Sequence, residues 1–318
     1  MISIDRKLLH EFENQLNPAN PFASKIPFKI LGYGEISTVF QIGDMTEVAL
    51  KRMPPFPSKE QRREYRLALE EYNHILHHKV GLHVAEYTCE EFTNKDGQHI
   101  LYIVQKRLPE ASIGHRWLRR CSDAELQVLI HRVLENLLKI WRKNQRDAPQ
   151  EMIGLDAQIS NWSFTHLSND EASVPVYLDT STPLIRRSGR ELLNTDIFLK
   201  SVPPFLVWIV KLAFLQQVLD RYYDLHQVLI DFVANFYKEK QSHRIPLAIQ
   251  IINAYLKQQA TDLNIAPLSE KEVRKYYRED AFIWMLFLNF RRFDRFLKTR
   301  LLRRKYNFIL PGKIKRFS

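Results

Sequence analysis

The sequence predicts an α+β, two-lobed chain, a β-rich lobe followed by a mainly helical one. Three observations carry that expectation. Residues 28–53 form short apolar runs broken by Gly32, Gly34 and the turn pair Gly43-Asp44, which reads as strand, glycine loop, strand, turn, strand. Two further runs, Val84–Phe92 and His99–Gln105, flank Asn94-Lys95-Asp96-Gly97, a strong hairpin signal. Beyond Leu108-Pro109 the apolar spacing turns helical. The expected organisation is an N-terminal helix and connection over 1–27, a β-rich lobe over 28–108, and a helical lobe over 109–318 that ends in a basic tail. The joint near residues 105–112 predicts a cleft, the usual place for a ligand.

Each element has a local reason. Residues 1–26 hold one short helix, followed by the breakers Asn17-Pro18 and Asn20-Pro21. Phe28–Leu31, Thr38–Ile42 and Glu47–Met53 are expected strands. Ser58–Val80 is helical, with Glu64, Ala68, Glu71 and Ile75 on one face. Ser122-Asp123-Ala124-Glu125 is a capping-box sequence. It opens a helix whose broad apolar face runs from Leu126 through Leu129, Val133 and Leu137 to Trp141, and Ala148-Pro149 ends it. Asn161–His166 and Val174–Leu178 read as two strands around a polar loop, Leu167–Ser173. Asp179–Pro204 carries Arg186, Arg187, Arg190 and Glu191, arginines that either bind an anion or form an exposed charged loop. Helices are then expected over Phe205–Leu219, Asp220–Lys240 and Pro246–Gln259, and a second capping pattern, Ser269-Glu270-Lys271-Glu272, starts the last.

Composition narrows the class. With 318 residues and 45% hydrophobic content the chain can build a sizeable core. Its two cysteines, Cys89 and Cys121, make no disulfide framework and point to a reducing, cytoplasmic setting. No Cys/His spacing suggests zinc. Of the most apolar windows, Val202–Leu219 holds Pro203, Pro204 and Lys211, and Phe282–Phe290 is too short to span a bilayer, so both read as buried helices. The net charge is +11, but Arg291–Ser318 alone carries eleven Lys/Arg against Asp294. Basicity is therefore a property of the tail, and a chain-wide nucleic-acid surface is not expected.

The candidate chemistry is spread over four stretches. Gly32, Gly34 and Ser37 form a loop whose backbone can approach phosphate oxygens closely. Lys51 ends an apolar strand, where it either snorkels to the surface or reaches an anionic ligand. An acidic residue on the following helix, Glu71 or in its place Glu70, is expected to pair with Lys51 unless both are solvated. Asp156 precedes Asn161 by five residues on a loop, and Asp179 follows an apolar run eighteen residues later. A base, an amide, a carboxylate and a lysine in this order are the parts of a phosphoryl-transfer site. The plain alternative for Asp156 and Asn161 is loop capping.

These stretches resemble the protein-kinase-like superfamily, in particular its small-molecule branch of aminoglycoside phosphotransferases and choline kinases. Gly32-x-Gly34-x-x-Ser37-x-Val39-Phe40 resembles the glycine loop, and Val48-Ala49-Leu50-Lys51 the strand-three lysine motif. Asp156-x-x-x-x-Asn161 resembles the catalytic loop, and Asp179-Thr180-Ser181 the metal-binding motif. The resemblance covers roughly residues 28–240. It implies a bilobal protein-kinase-like fold, ATP and Mg2+ as cofactors, and a small-molecule hydroxyl acceptor. Asp156 would be the catalytic base and Lys51 would hold the α/β-phosphates. Gly32, Gly34, Ser37 and Glu71 would complete the nucleotide site, and Asn161 and Asp179 would hold the metal. Three positions depart from the pattern. Ser37 replaces the third glycine, Gly154-Leu155 replaces the His-Arg or His-Gly dipeptide before the catalytic aspartate, and Ser181 stands where a glycine lies two residues after the metal aspartate. The two rival expectations are a pseudokinase scaffold that binds nucleotide or a partner without turnover, and a membrane- or nucleic-acid-binding protein whose basic tail is the working part. For the tail, residues 291–318, self-docking on the helical lobe is expected, with peripheral contact to an anionic membrane kept open.

Overall fold

The structure, a computed structural model, describes residues 2–34, 36–167, 174–194, 207 and 216–311. The polar loop expected over Leu167–Ser173, most of the helix expected over Phe205–Leu219, and the last residues of the tail lie outside the described residues. The rest is a mixed α+β fold with a sheet-rich N-terminal part and a helical C-terminal part.

The N-terminal part is built on β1 (Phe28–Tyr33), β2 (Thr38–Ile42), β3 (Val48–Arg52), β5 (Tyr87–Thr93) and β6 (His99–Lys106). They form one antiparallel sheet in the order β1-β2-β3-β6-β5. Side chains alternate across it. Val48, Leu50, Ile100, Tyr102 and Val104 face one side, where Leu9 and Phe12 of α1 (Arg6–Gln15) cover them. Leu101 and Ile103 face the other side and meet Tyr65 and Leu69 of α2 (Lys59–His74). Both helices begin on side-chain caps: Asp5 accepts from the Leu8 N–H, and Ser58 from the Gln61 N–H. Such caps are each worth about 1 kcal/mol. Helix α2 continues through a wider turn over Ile75–Val80, close to the expected end.

The strand expected over Val84–Phe92 is two elements. His83–Val84, β4, leaves the large sheet and pairs in parallel with β9 (Val176–Tyr177), which pairs antiparallel with β8 (Trp162–Ser163). The strands expected around the polar loop are thus shorter than their apolar runs. They join a three-stranded sheet that ties the N-terminal part to the loops below it.

The helical part centres on α4 (Asp123–Asp147), which follows the short α3 (Gly114–Leu118) and is opened by the expected capping box at Ser122. Its apolar face, Leu126 to Trp141, lies in the largest core with α6 (Leu225–Lys238) and α7 (Ile245–Gln259). The single helix expected over Asp220–Lys240 is broken: α5 (Gln216–Arg221) stops, and Asp224 caps α6 by accepting from the His226 and Gln227 N–H groups. The final helix α8 (Glu270–Phe296) starts on the second capping box, at Ser269.

A hairpin that the apolar pattern did not announce crosses below the sheet. β10 (Ile185–Arg187) and β11 (Arg190–Glu191) turn through Ser188 (φ +46°) and Gly189 (φ +78°), and β10 pairs with β7 (Glu151–Ile153). The arginines of this segment are engaged in ion pairs. Arg186 donates to Glu191 and Asp220, and Arg187 to Glu71 and Glu151. The anion-binding role left open for Arg186 and Arg187 is therefore replaced by a structural one.

The tail docks on its own chain, on both parts: Tyr306 donates its hydroxyl to the Arg291 carbonyl of the last helix and the Arg291 guanidinium lies over Phe308, while the Asn307 carbonyl accepts from Arg52 of β3. Tyr306, Phe308, Ile309 and Leu310 are buried, and Ile309 joins the core under α1.

Candidate functional site

The three-stranded sheet explains how distant candidate residues meet. β8 begins just after Asn161, and β9 ends two residues before Asp179. Pairing Trp162 with Tyr177 brings the flanking residues together, and the Leu178 N–H donates to the Asn161 carbonyl at 2.8 Å. The Gln105 amide at the end of β6 donates to the Leu178 carbonyl at 2.7 Å. The loop that carries Asp179 is thereby tied to the β-sheet.

Lys51 projects from β3 on the face away from α1 and reaches this loop. Its Nζ donates to Asp179 Oδ1 at 2.8 Å and to Ser181 Oγ at 2.9 Å. Ser181 in turn donates its hydroxyl (2.6 Å) and its N–H (3.2 Å) to Asp179 Oδ1. The serine found where a glycine was expected therefore fixes the carboxylate. Burial works against the charge of Asp179, but Lys51 and Ser181 outweigh it and hold its carboxyl below the usual carboxylate range.

Neither glutamate of α2 takes the lysine. Glu71 pairs with Arg187, and Glu70 pairs with Arg66 one turn earlier on its own helix. The expected Lys51–Glu71 pair is corrected to Lys51–Asp179. Glu71 instead lines a small cavity of about 260 Å³ with Glu64 and Leu193. What α2 contributes to the site is tyrosine. Tyr65 donates its hydroxyl to the Ser181 carbonyl at 2.7 Å, and Tyr72 to the Gly154 carbonyl at 2.8 Å.

Those bonds also account for the missing histidine before Asp156. Gly154 is wedged in the backbone, so that a Cβ there would lie 3.0 Å from the Tyr222 carbonyl oxygen, and Leu155 is fully buried. Tyr72 holds Gly154, and Tyr177 donates to the Asp156 carbonyl at 3.0 Å. Two tyrosines thus brace the loop from opposite ends.

Asp156 takes part in loop capping as well as facing the cavity. Its Oδ1 accepts from the Gln158 N–H at 3.1 Å, and its carbonyl accepts from the Asn161 amide at 3.2 Å. Gln158 extends its own amide to Asp231 Oδ2 on α6 at 3.2 Å. Burial, and then the neighbouring Asp231 charge, push the Asp156 carboxyl up to about 8. Asp231 is raised as well: burial lifts it, Lys238 opposes, and Asp280 adds to the rise.

Two cavities meet at these residues. One, of about 670 Å³, lies between the β1–β3 strands and the 108–116 segment, and Lys51 and Ala49 line its roof. Among the described residues Lys29, Lys51, Lys106, Arg107 and Arg116 line it, against Glu110 and Asp179. The other, of about 360 Å³, opens toward α6 and α8, and holds Asp156, Asp179, Asp231 and Asp280 against Lys238. Tyr33, Gly34, Ser160, Asn161 and Asp179 line both. A basic chamber therefore adjoins an acidic one across Asn161 and Asp179. The glycine hairpin hangs over the junction and is tight there: the Gly34 N–H donates to the Ser37 carbonyl at 3.0 Å, and a Cβ on Gly34 would lie 2.5 Å from Ser37 Oγ. Gly32 lines the basic chamber and Ser37 the acidic one.

Six candidate residues, Gly32, Gly34, Ser37, Lys51, Asn161 and Asp179, thus converge on one place with Asp156, while Glu71 stands apart on Arg187. A family description, "Family of unknown function (DUF6206)", matches residues 19–295. The chain belongs to this family. The matched residues include the five-stranded sheet, Lys51, Asp156, Asn161, Asp179 and nearly all of α8. Among curated proteins none matches.

Asn161 and Asp179 offer a carboxamide and an ionised carboxylate, the hard oxygen donors that magnesium prefers. Among the described residues no group of three or more His, Cys, Asp or Glu could hold a metal. A magnesium ion at Asn161 and Asp179 would keep several of its waters or take further oxygens from a ligand.

Proposed function

We propose that the protein is an ATP- and magnesium-dependent phosphotransferase with a bilobal protein-kinase-like fold, acting on a hydroxyl group of a small molecule. The observation that carries this reading is the junction of a basic and an acidic chamber across Asn161 and Asp179, with Lys51 on Asp179. A polyphosphate suits the basic chamber, and a hydroxylated acceptor suits the acidic one. The strand order β1-β2-β3-β6-β5 with α2 across one face supports the N-lobe of such a fold.

In this reading Lys51 and the backbone of 32–37 hold the donor phosphates, and Asp156 accepts the proton of the acceptor hydroxyl. Gln158 orients Asp156 and Asp231 together. Asn161 and Asp179 hold magnesium, which when bound would neutralise phosphate charge. Catalysis then rests on positioning and electrostatics, as phosphoryl transfer requires.

The test is a thermal-shift titration with ATP, with and without magnesium, on the wild type and on Asp179→Ala. A ligand that binds only the folded state raises apparent stability, by about 2.7 kcal/mol at a hundred times its Kd. A magnesium-dependent rise in the wild type that is lost in Asp179→Ala is expected. No rise with ATP or GTP at millimolar concentration would sink the proposal. Magnesium-dependent binding without turnover on any acceptor would convert it to a pseudokinase scaffold.

A further inference from the structure

The last helix carries a surface that phosphotransfer does not use. Along α8, Phe282, Leu286, Phe293 and Phe296 recur at helical spacing and make one stripe. They are exposed to 55%, 42%, 49% and 53%. Met285 widens the stripe, and Leu301 and Leu302 extend it past the helix end, again exposed. Arg300, Arg303 and Arg304 stand exposed at the same end, inside the stretch that carries eleven Lys/Arg against one Asp.

Residues 305–310 of the tail are already engaged. Tyr306, Phe308, Ile309 and Leu310 are buried, the Asn307 carbonyl accepts from Arg52, and Lys305 pairs with Asp96. Self-docking therefore absorbs the apolar residues of 306–310 and leaves Phe282, Leu286, Phe296, Leu301 and Leu302 largely exposed. We propose that this stripe is a membrane-docking surface for an anionic lipid bilayer, with the C-terminal half of α8 lying in the interfacial plane.

The chemistry selects a lipid surface over the alternatives. Phenylalanine and leucine side chains on one helix face, bordered by guanidinium groups, are what an interfacial helix presents. From Phe282 to Leu302 the segment runs about 30 Å, long enough to lie along a surface. A second copy would bring two strongly basic ends together. A duplex nucleic acid would satisfy the arginines and leave the phenylalanines in water. No helix among the described residues is long and apolar enough to cross a membrane, so the stripe would lie on the bilayer. The same helix lines the acidic chamber through Tyr276, Asp280 and Trp284, so docking would set that chamber near the lipid surface.

The experiment is co-sedimentation of the full chain with vesicles of phosphatidylcholine alone and of phosphatidylcholine mixed with phosphatidylserine. The variants are Phe293→Ser/Phe296→Ser and Arg300→Glu/Arg303→Glu/Arg304→Glu, each first matched to the wild type in melting temperature. The expected result is binding to the anionic vesicles only, weakened by salt. The arginine variant should lose on the order of a hundredfold in affinity, since each basic residue near the surface is worth about 1 kcal/mol. The phenylalanine variant should lose binding as well. The proposal is overturned if the wild type ignores anionic vesicles, binds neutral ones equally, or binds unchanged in the phenylalanine variant. It is also overturned if light scattering shows a dimer that those serines dissociate. None of these outcomes depends on nucleotide, so the phosphotransfer reading stands or falls separately.

Discussion

Asp156→Asn is expected to lower turnover by about 10²–10⁴-fold, the usual contribution of a general base, while making the folded protein more stable at neutral pH. The two effects share one cause. Asp156 is buried beside Asp231, which pushes its carboxyl from 3.8 to about 8. The folded state therefore keeps a proton that the unfolded chain has released. For a carboxyl raised in this way the stabilisation is fully present below the unfolded value and is lost as pH rises through the folded one. Wild-type stability should then fall steadily between about pH 4 and about pH 8. Asparagine carries no charge to bury, so the variant should be flatter over the same window, with the raised Asp231 supplying what slope remains. The expected gain near neutrality is on the order of 1–3 kcal/mol, read by urea denaturation at several pH values. In the proposed phosphotransfer, catalysis runs the other way: only the ionised form accepts a proton, so wild-type kcat/KM should climb with pH through about 8. A variant that loses turnover yet keeps a falling stability profile identical to the wild type would show that the proton sits elsewhere. ATP should still bind to Asp156→Asn, which separates the base from the donor site.

How much of this could be read from the sequence depends on the range of the interaction. Lys51, Asp156, Asn161 and Asp179 were legible because each sits at a fixed offset from a strand end or a loop, and strand pairing then carries them together. The partner of Lys51 was not legible. Helical spacing puts Glu64, Ala68 and Glu71 on one face of α2, but it does not say which cation that face meets, and Arg187 arrives from a hairpin 116 residues away. Tyr65 and Tyr72 were missed for a related reason: an aromatic on an amphipathic helix reads as core, and both are core, with only their hydroxyls working on the loops. Asp231 shows no motif at all, since its role comes from the packing of α6 against the Asp156 loop. Two misses did leave a local trace. Ser188-Gly189 between charged residues is a turn pair suited to the positive φ angles it adopts, and Asp224 before an apolar helix is an ordinary N-cap.

Breaking the Arg52–Glu13 pair is expected to produce the largest loss of stability of any single substitution here, about 3–5 kcal/mol for Arg52→Ala or Glu13→Ala. The guanidinium donates twice to the carboxylate, both bonds at 2.7 Å, and the side chains are 5% and 2% exposed. Tyr102 adds its hydroxyl to Glu13 Oε2 at 2.6 Å, and the third arm of Arg52 reaches the Asn307 carbonyl at 3.2 Å. Burial alone would lower the Arg52 affinity for its proton, but Glu13 and Tyr102 more than reverse this and keep it charged. Removal of one partner leaves a full charge in the core between α1 and the sheet. Removal of both charges and the tyrosine hydroxyl together, in Glu13→Leu/Arg52→Met/Tyr102→Phe, should cost far less than the sum of the single losses, because well-packed apolar groups of similar volume replace such networks at little net cost. Denaturation midpoints of the singles and the triple variant test this. Additive losses would mean that the network stabilises the fold outright rather than merely being costly to break. The consequence reaches the site through geometry: Arg52 is the next residue along β3 from Lys51 and faces the opposite side of the strand. The strand that presents Lys51 to Asp179 is thus clamped from behind by the first helix and by Asn307 of the tail. A stable triple variant that lacks the Asn307 bond should show the 303–311 segment more open to proteolysis while Lys51 keeps its place in the basic chamber.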